Sequence, residues 1–403
     1  MPKSIPAIIN PAMLTWTREQ AGYKTIEDAA ESKKIPAEKL RAWESGEKQP
    51  SIRQAENLAK IYHCSYSLFS LKEPPKVAAL GTEYRRLPGI KAGEESPELR
   101  FALRDMIYRR RIALNLMEEL GNIPEDFSLA ASLNENAETL AQRVRKLLNV
   151  SIEEQFKWEN DSQAWKGWRI AVESNGVLVL LFSDVEPDEV RGVSIFHNKL
   201  PVIGVNSHDT GASRPFTLLH EFIHILLVNG KEEKPANEER RSDTEWNNLE
   251  RFVENVTGKI LIPADALKKE EIIQSHLSND EWSIKDIRRL ANKFKVTPSA
   301  LATRLLIEKL MTPFVYRKWK DDWNEYINSI PVKKSGGFAT PAEKSLNKNG
   351  NIYTSLVIDA LSQERITSVD ASRYLNLNFT HIENLRMFYA FGRPLSTHSS
   401  GGE

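Results

Sequence analysis

Two histidines four residues apart, His220 and His224, constrain the fold of this chain more than any other feature of its 403 residues. Residues at this spacing share one face of an α-helix, so both imidazole rings can direct a nitrogen toward the same metal ion. The segment around them is strongly apolar and predicts a buried helix over 216–228. Because two ligands do not complete a metal site, another helix must fold against this one.

Glu221 follows the first histidine and completes the pattern H-E-x-x-H. In zinc peptidases this pattern brings a carboxylate beside the water that attacks the peptide carbonyl. Zinc lowers the pKa of such a water toward ~7, and the carboxylate accepts its proton. The sequence therefore predicts a zinc site with His220 and His224 as ligands and Glu221 as general base.

A catalytic zinc ion usually has three protein ligands, so a third is expected downstream. In the helix predicted near 245–261, Glu250 and Glu254 both border the apolar face, and spacing alone does not choose between them. The charged loop 229–243 holds further acidic residues, which are expected to be solvated: Glu232, Glu233, Glu238, Glu239 and Asp243. This loop either rims a cleft and screens substrates or is a simple spacer.

Composition limits the class of protein. Lys and Arg together number 55, as do Asp and Glu, so the formal net charge is zero and binding to nucleic acid by charge alone is excluded. Cys64 is the single cysteine, which excludes a disulfide framework and a Cys-rich zinc site. The sequence has no apolar run of 18 residues and no secretory signal at its start, so a cytoplasmic protein is expected.

Changes in composition and hydrophobic period divide the chain into four predicted segments. The expected fold class is α+β, mostly α, with a small sheet built from short apolar runs at 176–182, 193–196 and 201–205. The run at 201–205 is interpreted either as an edge strand, to which a peptide substrate could add, or as an ordinary core strand. The segments are a helical bundle at 1–75, a connector and helical region at 76–165, a peptidase-like core with the sheet at 166–312, and a linker, small helical C-terminal unit and disordered tail at 313–403.

The central segment resembles the ImmA/IrrE family of metallopeptidases. The matching residues are Val202–Asn206, Arg214–His224, Glu250 and Leu261–Pro263. The resemblance implies a zincin-like core that holds one zinc ion per chain. It also implies that the third ligand is the acidic residue thirteen positions before Pro263, which is Glu250. The family commonly has a small residue and Asn where this chain has Val253 and Glu254, so Glu254 stays a second candidate.

The first segment resembles the Xre/Cro-type helix-turn-helix that is fused to many family members. The similarity is carried by Asn10–Pro11, Trp43–Gly46 and Pro50, and Glu83–Arg86 falls where such fusions carry an aromatic–Arg element. The recognition helix would span 36–44. Its outward residues, which could contact double-stranded DNA, would be Ala37, Glu38, Lys39 and Arg41.

Charge gives this DNA interpretation only weak support. Residues 1–75 carry 11 Lys and Arg against 9 Asp and Glu. Contact with a protein of the same fold, such as a repressor, is the alternative. A second helix-turn-helix pattern at 284–311, which includes Arg304, is interpreted either as another DNA-binding element or as packing within the peptidase domain.

Two functions follow from these features. The family resemblance implies an intracellular zinc endopeptidase that cleaves a regulatory protein, either a repressor or an antitoxin. The alternative is a helix-turn-helix regulator or toxin–antitoxin component whose metal site is structural or sensory. The intact Glu221 favours the peptidase, because a structural site does not require it.

Overall fold

The computed structural model describes residues 5–76, 87, 90, 93–236, 238–276, 281–330 and 339–391. Glu83–Arg86 and the predicted tail after residue 391 lie outside these ranges. Within them the chain forms 18 α-helices and a three-stranded sheet, which confirms the α+β, mostly α prediction. The chain divides into two compact units, Met1–Asp105 with Pro235–Glu238 and Met106–Lys234 with Glu239–Glu403. The predicted four-segment division stays a prediction.

The first unit is a bundle of short helices around its own apolar core. Leu14, Leu40 and Leu58 are buried at its centre. Buried Arg18 on the first helix donates to Glu44 on the third at 2.8 Å, which joins these helices. The helices are α1 (Pro11–Gln20), α2 (Ile26–Lys33), α3 (Ala37–Glu44), α4 (Ile52–Ile61) and a 3-10 helix at Tyr66–Ser70, and α5 (Pro97–Glu119) follows.

The remaining elements belong to the second unit, which contains the sheet. Up to the sheet they are α6 (Ala137–Leu147), α7 (Ile152–Lys157), α8 (Asp161–Glu173), β1 (Leu178–Phe182), β2 (Gly192–Ile195) and β3 (Val202–Asn206). After it come α9 (Arg214–Asn229), α10 (Asp243–Leu261), α11 (Ala264–Lys268), α12 (Glu271–His276), α13 (Ile284–Phe294), α14 (Pro298–Ile307), α15 (Pro313–Ser329), α16 (Pro341–Ser362), α17 (Ser368–Leu375) and α18 (Phe379–Phe391).

The sheet has the strand order β1-β3-β2, so β3 is its central strand. β3 pairs in parallel with β1, with Leu178 opposite Val202, and antiparallel with β2, with Gly192 opposite Val205. The edge-strand interpretation of 201–205 is therefore wrong. Strand pairing depends on which segments meet in three dimensions, and the apolar pattern of a short strand carries no information about that.

α9 runs through the interior of the second unit. It packs against β2 and β3 on one side and against α8 and α10 on others. Leu219, Ile225 and Leu227 have no solvent exposure although they point in different directions around the helix. A helix with apolar side chains around most of its circumference is one that its neighbours enclose, and the buried polar residues of α9, Thr217, Glu221 and His224, share its remaining face.

α10 is amphipathic and begins with a complete capping box. The Ser242 hydroxyl accepts from the Glu245 backbone N–H at 3.4 Å, and the Glu245 carboxylate accepts from the Ser242 N–H at 2.9 Å. The Ser242 hydroxyl also donates to the Glu245 carboxylate at 2.7 Å, and this bond together with the one from the Ser242 N–H lowers the pKa of Glu245. Leu249 and Val253 are buried on the face that packs against α9 and α6, so the register of α10 is set by its apolar side.

α16, the first of three helices in the C-terminal region, covers the sheet beside β1. It packs against β1 and α8 and bends at Gly350, whose φ is 77°. At the bend, Glu173 of α8 accepts hydrogen bonds from the Asn351 backbone at 3.2 Å and from its side chain at 3.1 Å. Arg169, also buried on α8, donates to Glu173 at 3.3 Å and to the Asn347 carbonyl at 2.5 Å. Buried polar groups therefore join α16 to the sheet's supporting helix.

Among the described residues, no helix combines the length and the apolar character needed to cross a bilayer.

Candidate metal centre

The two histidines lie on the middle turns of α9 and point the same way. Their Nε2 atoms are 3.1 Å apart, as expected for rings at i and i+4. The His224 side chain is fully buried, whereas 14% of the His220 side chain is exposed. Solvent therefore reaches this pair from the His220 side.

Glu250 on α10 completes a group of three ligand atoms. Its Oε2 lies 3.2 Å from Nε2 of His220 and 3.6 Å from Nε2 of His224. Glu254, the second candidate, is exposed one turn further along α10 and is not part of the group. The apolar side of α10 is responsible, because burying Leu249 and Val253 against α9 turns Glu250 toward the histidines.

The separations of these atoms fit a tetrahedral ion. Zn–N and Zn–O bonds of about 2.0–2.1 Å imply ligand atoms about 3.3 Å apart at tetrahedral angles. The three distances found are 3.1, 3.2 and 3.6 Å. Two imidazole nitrogens and one carboxylate oxygen are also a donor set typical of catalytic zinc. His220, His224 and Glu250 therefore suit a zinc-class ion both in chemistry and in spacing.

The side chain of Glu221 extends from α9 toward the edge strand β2, and only 3% of the residue is exposed. A Cβ atom added at Gly192 of β2 would lie 2.9 Å from Cγ of Glu221 and 2.5 Å from Cγ2 of Thr217. The backbone of β2 therefore approaches the α9 face that carries Glu221 closely enough to require glycine at this position. No sequence signal marked Gly192, because the approach depends on how α9 packs on the sheet.

The loop between β3 and α9 is fixed by polar contacts that orient the start of α9. Arg214 donates through Nη2 to the Ser207 carbonyl at 2.6 Å and through Nε to the Asp209 carbonyl at 3.1 Å. Burial lowers the pKa of Arg214, and the negative charge of Asp209 opposes that effect. Asp209 also accepts from the Thr217 hydroxyl at 2.9 Å. These bonds hold the helix that carries the histidines from its first turn.

Glu233 was predicted to be solvated, and that prediction is wrong. Its Oε1 lies 2.6 Å from Nδ1 of His224, and the two side chains are fully buried. Neighbours in the same loop are held as well: Glu232 accepts from the Ser132 hydroxyl at 2.7 Å, and Glu239 from Arg241 at 2.6 Å. Glu232, Glu233 and Glu239 are therefore held within the fold, and the spacer interpretation does not describe them. Glu238 and Asp243 are exposed, as predicted.

The four residues predicted to contact DNA differ in their exposure to solvent. Glu38, Lys39 and Arg41 are exposed on α3, and Arg41 forms an ion pair with Glu27 at 2.5 Å. Ala37 was expected to face outward, but it is half-buried and packs against the apolar core of the first unit. The first turn of α3 leans on that core, which removes Ala37 from the outward set.

The segment 284–311 forms α13 and α14, and its apolar side belongs to the main core. Ile287 and Leu301 are buried in the cluster that also contains the residues around the metal centre. Arg304 is buried, donating through Nε to the Ile262 carbonyl at 3.0 Å and pairing with Glu308 at 2.7 Å. Arg304 is therefore a packing residue and is not available to contact DNA.

A comparison with curated proteins found no match to the chain. A comparison with protein families did find one, and it agrees with this centre. Residues 173–306, which include the three strands, α9 and α10, match the family model Peptidase_M78, described as the IrrE N-terminal-like domain. That family is zinc-dependent. The match supports the relationship of this part of the chain to the IrrE/ImmA family of metallopeptidases.

Proposed function

We propose that the protein is a zinc-dependent endopeptidase of the ImmA/IrrE type that cleaves a regulatory protein. The observation that carries the proposal is the convergence of His220 and His224 with Glu250 of α10 on one point. The two histidines lie on α9, the helix that also carries Glu221. This arrangement falls inside the segment that matches a peptidase family. One zinc ion per chain would occupy the three-ligand group.

A zinc ion in this group would polarise the scissile carbonyl and make a water acidic enough to ionise near neutral pH. Glu221 accepts the proton of the attacking water as the new C–O bond forms. It then delivers that proton to the departing amine nitrogen as the C–N bond breaks, so the carboxylate is regenerated. Burial of Glu221 against β2 keeps it in one position, which favours both transfers.

The substrate class is supported by the surroundings of Glu221. β2 is an edge strand of the described sheet, and an extended peptide can pair with such an edge through its backbone. The proposed partner is therefore a protein segment in extended form. The resemblance of residues 10–50 to helix-turn-helix repressor domains supports a repressor or antitoxin as the protein that carries it.

Glu221→Gln tests the proposal. The substitution keeps size and polarity but removes the base, so cleavage should fall by about 10²–10⁴-fold while zinc content stays near one ion per chain. New protein N-termini should be mapped by mass spectrometry in cells that express either form, and the targets found should then be incubated with purified protein. His220→Ala/His224→Ala is the control that should lose zinc and cleavage together. Equal cleavage by wild-type and Glu221→Gln protein would refute the proposal.

A DNA-binding role of α3 is the second candidate, whether it guides the peptidase or acts without proteolysis as a regulator with a structural or sensory metal site. The exposure of the basic residues Lys39 and Arg41 on α3 favours it. Lys39→Ala/Arg41→Ala should weaken binding to double-stranded DNA and reduce its salt dependence. Lys60→Ala, an exposed residue on α4, is the matched control. If only cleavage in a DNA-free assay changes, α3 serves protein recognition.

A further inference from the structure

The second ring nitrogen of His224 faces a carboxylate that the metal centre itself does not use. Nδ1 of His224 lies 2.6 Å from Oε1 of Glu233, while Nε2 of the same ring faces His220 and Glu250. A ring held at both nitrogens has its orientation and tautomer fixed. With a carboxylate as acceptor, the proton resides on Nδ1 and the lone pair on Nε2, which is the form that binds a metal.

The end of α9 explains how a loop residue reaches that position. The Glu232 N–H bonds to the Leu227 carbonyl at 2.9 Å, and Lys231 adopts a left-handed conformation with φ 64°. This pattern is a common helix ending that reverses the chain. The reversal carries Glu233 back along the last turns of α9, to the level of His224.

The environment of Glu233 points to a nearby cation. Its side chain is fully buried, and Oε2 has no hydrogen-bond partner among the described residues. Its ion pairs within the described part of the chain are limited to the one with His224. A buried carboxylate is costly unless positive charge compensates it. A divalent ion at the centre would supply positive charge beside both Glu233 and Glu250.

We propose that Glu233 is a positioning residue for the metal centre, acting through His224. It accepts the Nδ1–H bond and presents Nε2 to the ion, whose positive charge would compensate the buried carboxylate. The inference rests on the proposed function in that it assumes zinc at His220, His224 and Glu250. It assigns to this centre a residue that lies outside the H-E-x-x-H pattern and outside α10.

Zinc affinity of the full-length protein, measured by competition with a chelator, tests this role. Glu233→Met keeps a similar volume but removes the acceptor, and affinity should fall by about 10–100-fold. Glu233→Gln keeps an acceptor oxygen, so it should lose less than the Met variant. The visible spectrum of the Co²⁺-loaded protein should change in the Met variant, because His224 is no longer held in one orientation.

Glu232→Gln is the matched control, because Glu232 anchors the same loop through Ser132 without touching a histidine. It should bind zinc as the wild type does. If the Met variant does not fold, Glu233→Asp replaces it, since withdrawing the carboxylate by one C–C bond should also weaken zinc binding. Wild-type affinity in the Met or Asp variant would overturn the proposal, as would equal losses in the Glu232 and Glu233 variants. Absence of zinc binding by the wild-type protein would instead refute the proposed function.

Discussion

At the scale of single residues, the first question is whether Glu250 or Glu254 is the third ligand of the centre. Glu250→Gln removes a charged oxygen 3.2 Å from Nε2 of His220, so zinc retained after dialysis should fall from about one ion per chain to a small fraction. Glu254→Gln changes an exposed side chain and should leave zinc content unchanged. Elemental analysis of both purified variants measures this. Greater loss in the Glu254 variant would mean that the assignment of the third ligand is wrong.

Gly192 provides a second test at this scale. In Gly192→Ala, the added methyl group meets Thr217 and Glu221 at 2.5 and 2.9 Å, which is too close at both contacts, so Glu221 must shift as well as Thr217. Displacing a general base by about 1 Å costs roughly 10²-fold in rate. We expect cleavage of an identified target to fall by about that factor with zinc retained.

Gly258→Ala is the matched control for Gly192→Ala. Gly258 lies inside α10, where a Cβ atom would have its nearest neighbour 4.0 Å away at Arg304. Inside a helix, alanine is also more favourable than glycine by about 1 kcal/mol of helix propensity. The control should therefore cleave normally. Wild-type activity in Gly192→Ala would show that β2 does not constrain Glu221.

Residue-level patterns predicted part of the centre and missed the rest for a physical reason. His220, Glu221 and His224 are local in sequence, so helical geometry alone brings them together. Glu250 could be narrowed to two candidates because the apolar side of its helix is visible in the sequence. Glu233 and Gly192 were missed, since their roles depend on a chain reversal and on the packing of α9 against the sheet.

At the scale of elements, the buried pair Arg169–Glu173 is expected to be a major determinant of stability. Burial raises the pKa of Glu173, and the charge of Arg169 opposes that effect. Glu173→Gln would leave Arg169 buried without its counter-charge, which typically costs about 3–5 kcal/mol. Urea denaturation should show a decrease of that order in the free energy of unfolding.

An exposed pair on α7 supplies the comparison. Glu154 and Lys157 lie 3.4 Å apart, with about half or more of each side chain exposed. Glu154→Gln should therefore cost no more than about 1 kcal/mol. A similar small loss in both variants would mean that the α8–α16 contact tolerates an uncompensated arginine.

The positions of helices and strands in the sequence were predicted better than the elements against which they pack. The predicted helices at 216–228 and 245–261 differ from α9 and α10 by only a residue or two at each end, because apolar period and terminal residues are local signals. The central position of β3 and the contact of α16 with β1 join segments far apart in the chain. No local pattern in these strands or in α16 specifies such a partner.

At the scale of the whole molecule, the segment that matches the peptidase family is expected not to fold alone. α16 lies outside residues 173–306 yet buries Tyr353 and Val357 in contact with β1, α17 and α18. Domain stability is only about 5–15 kcal/mol, so losing this cover should unfold the second unit. A protein ending after residue 330 should aggregate and bind little zinc, as judged by size-exclusion chromatography and metal analysis.

Full-length Glu221→Gln is the control for that truncation, because it is inactive by design but should stay folded and zinc-bound. A truncated protein that is monomeric and holds zinc would show that α16–α18 are dispensable. The comparison separates loss of the catalytic group from loss of the structure around it.

The contact of α16 with Glu173 also has a consequence for the synthesis of the chain, because α16 is made after the residues that it covers. The residues of the proposed centre, from His220 to Glu250, leave the ribosome about a hundred residues before α16 does. Until α16 emerges, Arg169 and Glu173 lack their partners at 347 and 351, and β1 is uncovered. The nascent chain thus carries the residues of the proposed centre before its core is closed, and the proposed activity is expected only after α16 has emerged.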